Sequence, residues 1–222
     1  MSYIFNILIF FFHKITSFEV LKEKPPSTHK KLNARLITPD RVIYVSDAIG
    51  GYEYSIILKD ENGNAIADSD VVITFNNRTY TARTGSDGWL SVNLTVNEAG
   101  SYEVNVEYWG DYEHNSVIQA ATIKVVKESV QFLAPDRAVY LSDIAGGYTY
   151  QAILKSKDGK PLANRKVLVT FNGKKQVAFT DEKGYVTVNL TADKAGSYRV
   201  DLRFAGDRYY NELGSYRTIR VV

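Results

Sequence analysis

Apolar and polar residues alternate with a period of two over much of the chain, the period of a strand with one face buried and one in water. Leu90, Val92 and Leu94 point one way; Ser91, Asn93 and Thr95 point the other. Tyr102, Val104, Val106 and Tyr108 then alternate with Ser101, Glu103, Asn105 and Glu107. The same two patterns return at Val186, Val188 and Leu190 and at Tyr198, Val200, Leu202 and Phe204. Turn signals punctuate the runs. Asn172-Gly173 suits the two positive-φ positions of a type I′ hairpin, and Asn76-Asn77 holds the equivalent place. Asn62-Gly63, Asp87-Gly88, Asp158-Gly159 and Lys183-Gly184 mark further turns. The pattern predicts strands near 33–37, 41–45, 52–58, 71–75, 78–83, 89–95 and 101–108, with a last one near 119–126. The first two read as one broken strand.

A shift of about 96 residues lays 32–126 on 128–222 without a gap, with about four positions in ten identical. Pro39-Asp40-Arg41 matches Pro135-Asp136-Arg137, and Gly50-Gly51-Tyr52 matches Gly146-Gly147-Tyr148. A gapless duplication of this length means two units in series, each with its own core. The expected fold is therefore all-β: two tandem immunoglobulin-like β-sandwich domains of about seven strands each. The expected boundaries are 32–126 and 127–222, joined through the short link Val126-Lys127-Glu128.

Residues 4–12 are a short apolar run. A membrane-spanning helix needs about 20 apolar residues, whereas a signal-peptide core needs about 7–15. No Lys or Arg precedes the run and no Ala-x-Ala follows it. Residues 1–31 thus read as a hydrophobic leader and a Pro-containing linker. The leader is either a degenerate export signal or a consequence of where the chain's start falls. No integral membrane span is expected.

Composition narrows the chemistry. The chain has no Cys, which removes thiolate metal sites, Cys nucleophiles and disulfides. Its three His are His13, His29 and His114, too few for a His-based centre. There is no Gly-x-Ser-x-Gly elbow, His-Glu-x-x-His pattern or P-loop, so the chain is read as non-enzymatic, with no cofactor and no metal. A net charge of +2 gives no whole-chain attraction to nucleic acid. That average hides an asymmetry. The first unit carries roughly −7 and the second roughly +5. This is either drift between duplicated copies or complementary contact, between the two units or with neighbouring chains.

The ordered motifs carry a resemblance. A Val-x-(Ile/Val)-Thr-Phe-Asn hairpin is followed by Thr-x-x-x-Gly, Val-Asn-Leu-Thr, Ala-Gly-Ser-Tyr and (Tyr/Phe)-x-Gly-Asp in both copies. This resembles the Ig-like, Big-type repeats of bacterial and archaeal adhesin-like surface proteins, over essentially all of 32–222. The resemblance implies an extracellular, cell-surface protein whose repeats act as stalk, adhesive module or both. Its partner would be a surface protein, a glycan or neighbouring Ig-like repeats. The alternative is a carbohydrate-binding accessory module of a larger surface enzyme.

Individual residues then acquire candidate roles. Tyr102 and Tyr198 follow Ala-Gly-Ser and resemble the tyrosine corner, a hydroxyl that bonds back to the backbone. Trp109 aligns with Ala205, so the fold does not require it. With Tyr108, Tyr112 and His114 it forms a candidate sugar-stacking loop, and Tyr209 and Tyr210 offer a similar loop in the second copy. Asn77, Asn93 and Asn189 begin N-glycosylation sequons. Asp40, Asp47 and Asp111, with their second-copy partners, are expected to serve turns rather than Ca²⁺, because no twelve-residue EF-type loop is present.

Overall fold

Pro39 and Pro135 decide how each copy begins, because proline has no N–H to give a sheet ladder. In the computed structural model, which describes residues 29–222, β1 (Ala34–Ile37) pairs antiparallel with β3 (Tyr52–Asp60). The leader's apolar run lies outside the described residues. Past Pro39-Asp40 the chain changes sheets. It resumes as β2 (Arg41–Tyr44), which runs parallel to β8 (Val117–Val126). The second copy repeats the switch. There β9 (Val130–Leu133) is antiparallel to β11 (Tyr148–Ser156), and β10 (Arg137–Val139) is parallel to β16 (Leu213–Val221).

Two contacts hold each switch. The buried Tyr54 donates its hydroxyl to the Pro39 carbonyl at 2.9 Å, and Tyr150 does the same to Pro135 at 3.0 Å. Burial pushes both phenols up to about 12, so they remain donors at any ordinary pH. On the other side, Asp40 Oδ1 accepts the Thr122 N–H and Asp136 Oδ1 the Thr218 N–H, both at 2.7 Å. These N–H groups lie next to the parallel pairing, where the interrupted ladder would leave them without a partner.

The remaining strands of the first copy are β4 (Asp70–Phe75), β5 (Arg78–Arg83), β6 (Trp89–Leu94) and β7 (Gly100–Tyr108). Those of the second are β12 (Lys166–Phe171), β13 (Lys174–Phe179), β14 (Tyr185–Leu190) and β15 (Gly196–Phe204). Each copy forms a three-stranded sheet, β1-β3-β6 or β9-β11-β14, and a five-stranded one, β2-β8-β7-β4-β5 or β10-β16-β15-β12-β13. The predicted alternation holds. Leu90, Leu94, Val104, Val106 and Tyr108 are buried in one hydrophobic cluster, while their second-copy equivalents are buried in another. The protein is all-β, with two sandwich domains.

One local element departs from expectation. Val45–Gly50 and Leu141–Ala145 are short helices, here α1 and α2, where the pattern ended a strand near residue 45 and predicted no helix. Both bury apolar side chains in their sandwich: Val45 and Ala48 in the first copy, Ile144 in the second.

Tyr102 Oη donates to the Glu98 carbonyl at 2.9 Å and Tyr198 Oη to that of Lys194 at 2.8 Å. The two rings tilt against Phe75 and Phe171, with centroids 5.7 and 5.5 Å away. A hydroxyl bonded four residues back ties the start of β7 or β15 to the loop before it. Tyr102→Phe keeps the ring and removes this bond, so it is expected to cost about 1 kcal/mol. Urea denaturation of the full chain checks it, and an unmoved midpoint would leave the hydroxyl with no structural role.

Candidate functional site

The loop between β7 and β8 is built around one carboxylate. Asp111 Oδ1 accepts the backbone N–H groups of Glu113 and His114 at 2.7 Å and lies 2.9 Å from His114 Nδ1. Its Oδ2 accepts the Tyr108 hydroxyl at 2.8 Å. Burial works against the charged form of Asp111. The hydrogen bonds from His114, Tyr108 and the backbone outweigh it and hold the carboxyl down at about 2. Burial, then the bond to Asp111, pushes Tyr108 up to about 12. The loop is also tied to the residues ahead of β1: Leu32 N–H donates to Glu113 O and Asn115 N–H to Leu32 O, both at 2.8 Å.

This framework displays two aromatic side chains to water. Trp109 is 75% and Tyr112 72% exposed. Tyr112 stacks on the His29 ring at 4.7 Å, which leaves its other face open. His114 does not join them. Its side chain is only 13% exposed and turned toward Asp111.

In the second copy the sequence reading of Tyr209 and Tyr210 as a similar open loop does not hold. Tyr210 is buried in the second core, with the Arg165 guanidinium 5.6 Å from its ring centre. Tyr209 is half-buried and packs against both cores. The loop carboxylate is again the organiser. Asp207 Oδ1 accepts the N–H groups of Tyr209 and Tyr210 at 2.8 and 2.9 Å, and Arg165 Nε lies 3.1 Å from Oδ2. A signal for this was present in the alignment. Tyr210 stands where the first copy has His114, and both side chains turn inward.

The sequon asparagines lie at the surface. Asn77 occupies a positive-φ position in the β4–β5 turn. Asn93 and Asn189 sit on the wet faces of β6 and β14. The threonine hydroxyls of the last two sequons accept from Arg78 at 3.2 Å and from Lys174 at 3.3 Å. Asn189 is the more crowded, because its amide lies against the Gly147 backbone.

Among the described residues, no three His, Cys, Asp or Glu side chains gather as a metal site. Asp40 and Asp111 instead accept backbone N–H groups. Asp47 Oδ2 sits 3.4 Å from the Tyr44 N at the start of α1. Among the described residues no helix is long and apolar enough to cross a membrane.

No protein-family model matches the sequence, and no curated protein matches it. Solved structures that match include invasin, a bacterial integrin-binding protein: 21% identity, 86% of this chain and 39% of that one, TM-score 0.42. A bacterial ice-binding adhesin matches at 15% identity over 87% of this chain and 66% of that one, with a TM-score of 0.37. The D0-D1 domain of intimin matches at 22% identity over 86% of this chain and 98% of that one, with a TM-score of 0.30. The chain thus spans less than half of the invasin chain.

Proposed function

We propose that this chain is a non-catalytic, adhesin-like module displayed outside the cell, its two Ig-like domains (32–126 and 127–222) forming a scaffold of the Big type. The adhesive element is the β7–β8 loop of the first domain. The observation that carries this reading is the exposure of Trp109 and Tyr112 on a loop fixed by Asp111. A large aromatic held open to water on a rigid frame loses little entropy on binding and offers a flat face for a sugar ring or a partner's side chain. The second domain closes its own loop with Tyr210 and supports the first.

The test is binding of the full chain to a glycan array and to whole cells at physiological salt. Saturable binding that falls about tenfold or more in Trp109→Ala or Tyr112→Ala is expected, the usual loss when an aromatic anchor is truncated. Binding that survives both substitutions would move the adhesive surface elsewhere. No binding to any probe would reduce the two domains to a stalk.

A further inference from the structure

The charge asymmetry of the two copies becomes spatial once the strands are in register. Asp70, Glu103 and Glu107 stand on the outer face of the β4–β7 pair in the first domain, where Asp70 and Glu103 are exposed and Glu107 half-buried. Their counterparts on the β12–β15 pair are Lys166, Arg199 and Arg203, all exposed. All three positions reverse sign on the same face of the same sheet, on equivalent strands. Minority charges accompany each group: Arg83, 3.4 Å from Asp70, and the exposed Lys124 of β8 in the first; Asp201, 2.5 Å from Arg199, and Glu212, 3.7 Å from Arg203, in the second. Exposed pairs of this kind contribute little, so they leave the sign of each face in place.

Each face also carries exposed apolar surface that the other copy lacks. Val177 and Phe179 are 54% and 63% exposed on edge strand β13, where the first copy has Thr81 and Arg83. Ile118 and Val42 are both 69% exposed on β8 and β2, where the second copy has Gly214 and Ala138. A groove lined by Arg165, Lys166, Leu168, Val177 and Arg203 runs along the basic face. Apolar surface beside complementary charge is the composition of a docking surface, in which charge sets the partner and apolar contact adds affinity.

We propose that the acidic sheet face of the first domain binds the basic sheet face of the second domain on another copy of this chain. The two faces cannot meet within one chain. β8 ends in the five-stranded sheet of the first domain, and β9 begins in the three-stranded sheet, on the far side of the second sandwich. With packed sheets about 10 Å apart, face-to-face contact would put those strand ends roughly 20 Å apart. The residues from Val126 to Val130 reach at most about 14 Å. The contact is therefore heterologous, acidic on basic. It goes beyond the adhesive reading, because it engages neither Trp109 nor Tyr112.

The test is sedimentation velocity on the full chain with two triple variants. D70K/E103R/E107R makes both faces basic, and K166D/R199E/R203E makes both acidic. Every new residue is the one the sister copy carries at that strand position, and circular dichroism confirms folding. Wild type is expected to associate reversibly, with an association constant falling about tenfold or more between ~20 and ~300 mM salt. Each variant alone should be monomeric, and an equimolar mixture of the two should associate again. A wild type that stays monomeric at ~20 mM salt overturns the proposal and leaves the basic face to an acidic partner of another kind. Association that persists in either variant alone overturns it too, assigning the contact to another surface such as the leader.

Discussion

Tyr54→Ala is expected to lower the stability of the first domain by about 3–5 kcal/mol, the cost of emptying an aromatic-sized space in a packed core. Tyr54 is 1% exposed and lies among Ile56, Leu58, Val104 and the rest of the first cluster. Its hydroxyl holds the Pro39 carbonyl at the point where the chain leaves one sheet for the other. Against a total stability of about 5–15 kcal/mol for a domain, that loss is a large fraction of the whole. Tyr54→Phe separates the two contributions. It keeps the ring and leaves the carbonyl without its donor, for about 1–1.5 kcal/mol.

The measurement is favoured by an accident of sequence. Both tryptophans, Trp89 and Trp109, lie in the first copy. Tryptophan fluorescence therefore follows the first domain alone, while far-ultraviolet circular dichroism follows both. In Tyr54→Ala the fluorescence transition should move to lower urea while a second dichroism transition stays in place. Tyr150→Ala should do the reverse. A dichroism transition that moves as one unit in either variant would mean that the two domains unfold cooperatively across Tyr209 and the Ser46–Glu128 contact of 3.2 Å.

Most of the strand framework was legible because each strand has one wet face. In β6 and β7 the alternation of Leu90, Val92 and Leu94 with Ser91 and Asn93, and of Val104 and Val106 with Glu103 and Asn105, forces one register. The sheet switch showed only as a broken strand. Proline announces the break but not the parallel partner, which stands some eighty residues downstream at Ile123. The helices α1 and α2 were not legible. At six and five residues they are too short for a 3.6-residue period to separate from a turn. At the loop, residue type misled in the second copy. An aromatic in a turn reads as exposed, yet Tyr210 turns into the core at the position that His114 holds in the first copy. The opposed sheet faces were visible as a difference in net charge. They became a surface only when register placed Glu107 diagonal to Asp70, with Glu103 farther along the same face.

Gly88→Ala is expected to destabilise the first domain by about 3 kcal/mol, whereas Gly63→Ala should cost only about 1–2 kcal/mol. Sequence treats these two as equals, each the second residue of an Asn-Gly or Asp-Gly turn. Both adopt positive φ, +78° and +88°, so both carry the left-handed penalty of an L-residue. Their surroundings differ. Around Gly63 nothing lies within 4 Å of an added Cβ. At Gly88 the same Cβ would stand 2.4 Å from the Leu58 carbonyl oxygen and 3.3 Å from the Ala65 Cβ. That oxygen cannot easily retreat, because it accepts the Ile66 N–H at 3.1 Å while Leu58 N–H donates to Gly88 O at 2.9 Å. The turn is thus clamped onto the middle of β3, and a methyl group must spread the backbone to fit. The second copy offers the same pair. Gly184 would place a Cβ 2.7 Å from Leu154 O, while Gly159 meets nothing. Urea midpoints for the four single variants, read by fluorescence for the first domain and dichroism for the second, decide the point. Equal losses at Gly63 and Gly88 would mean that backbone conformation alone sets the cost and that the close approach to Leu58 relaxes freely.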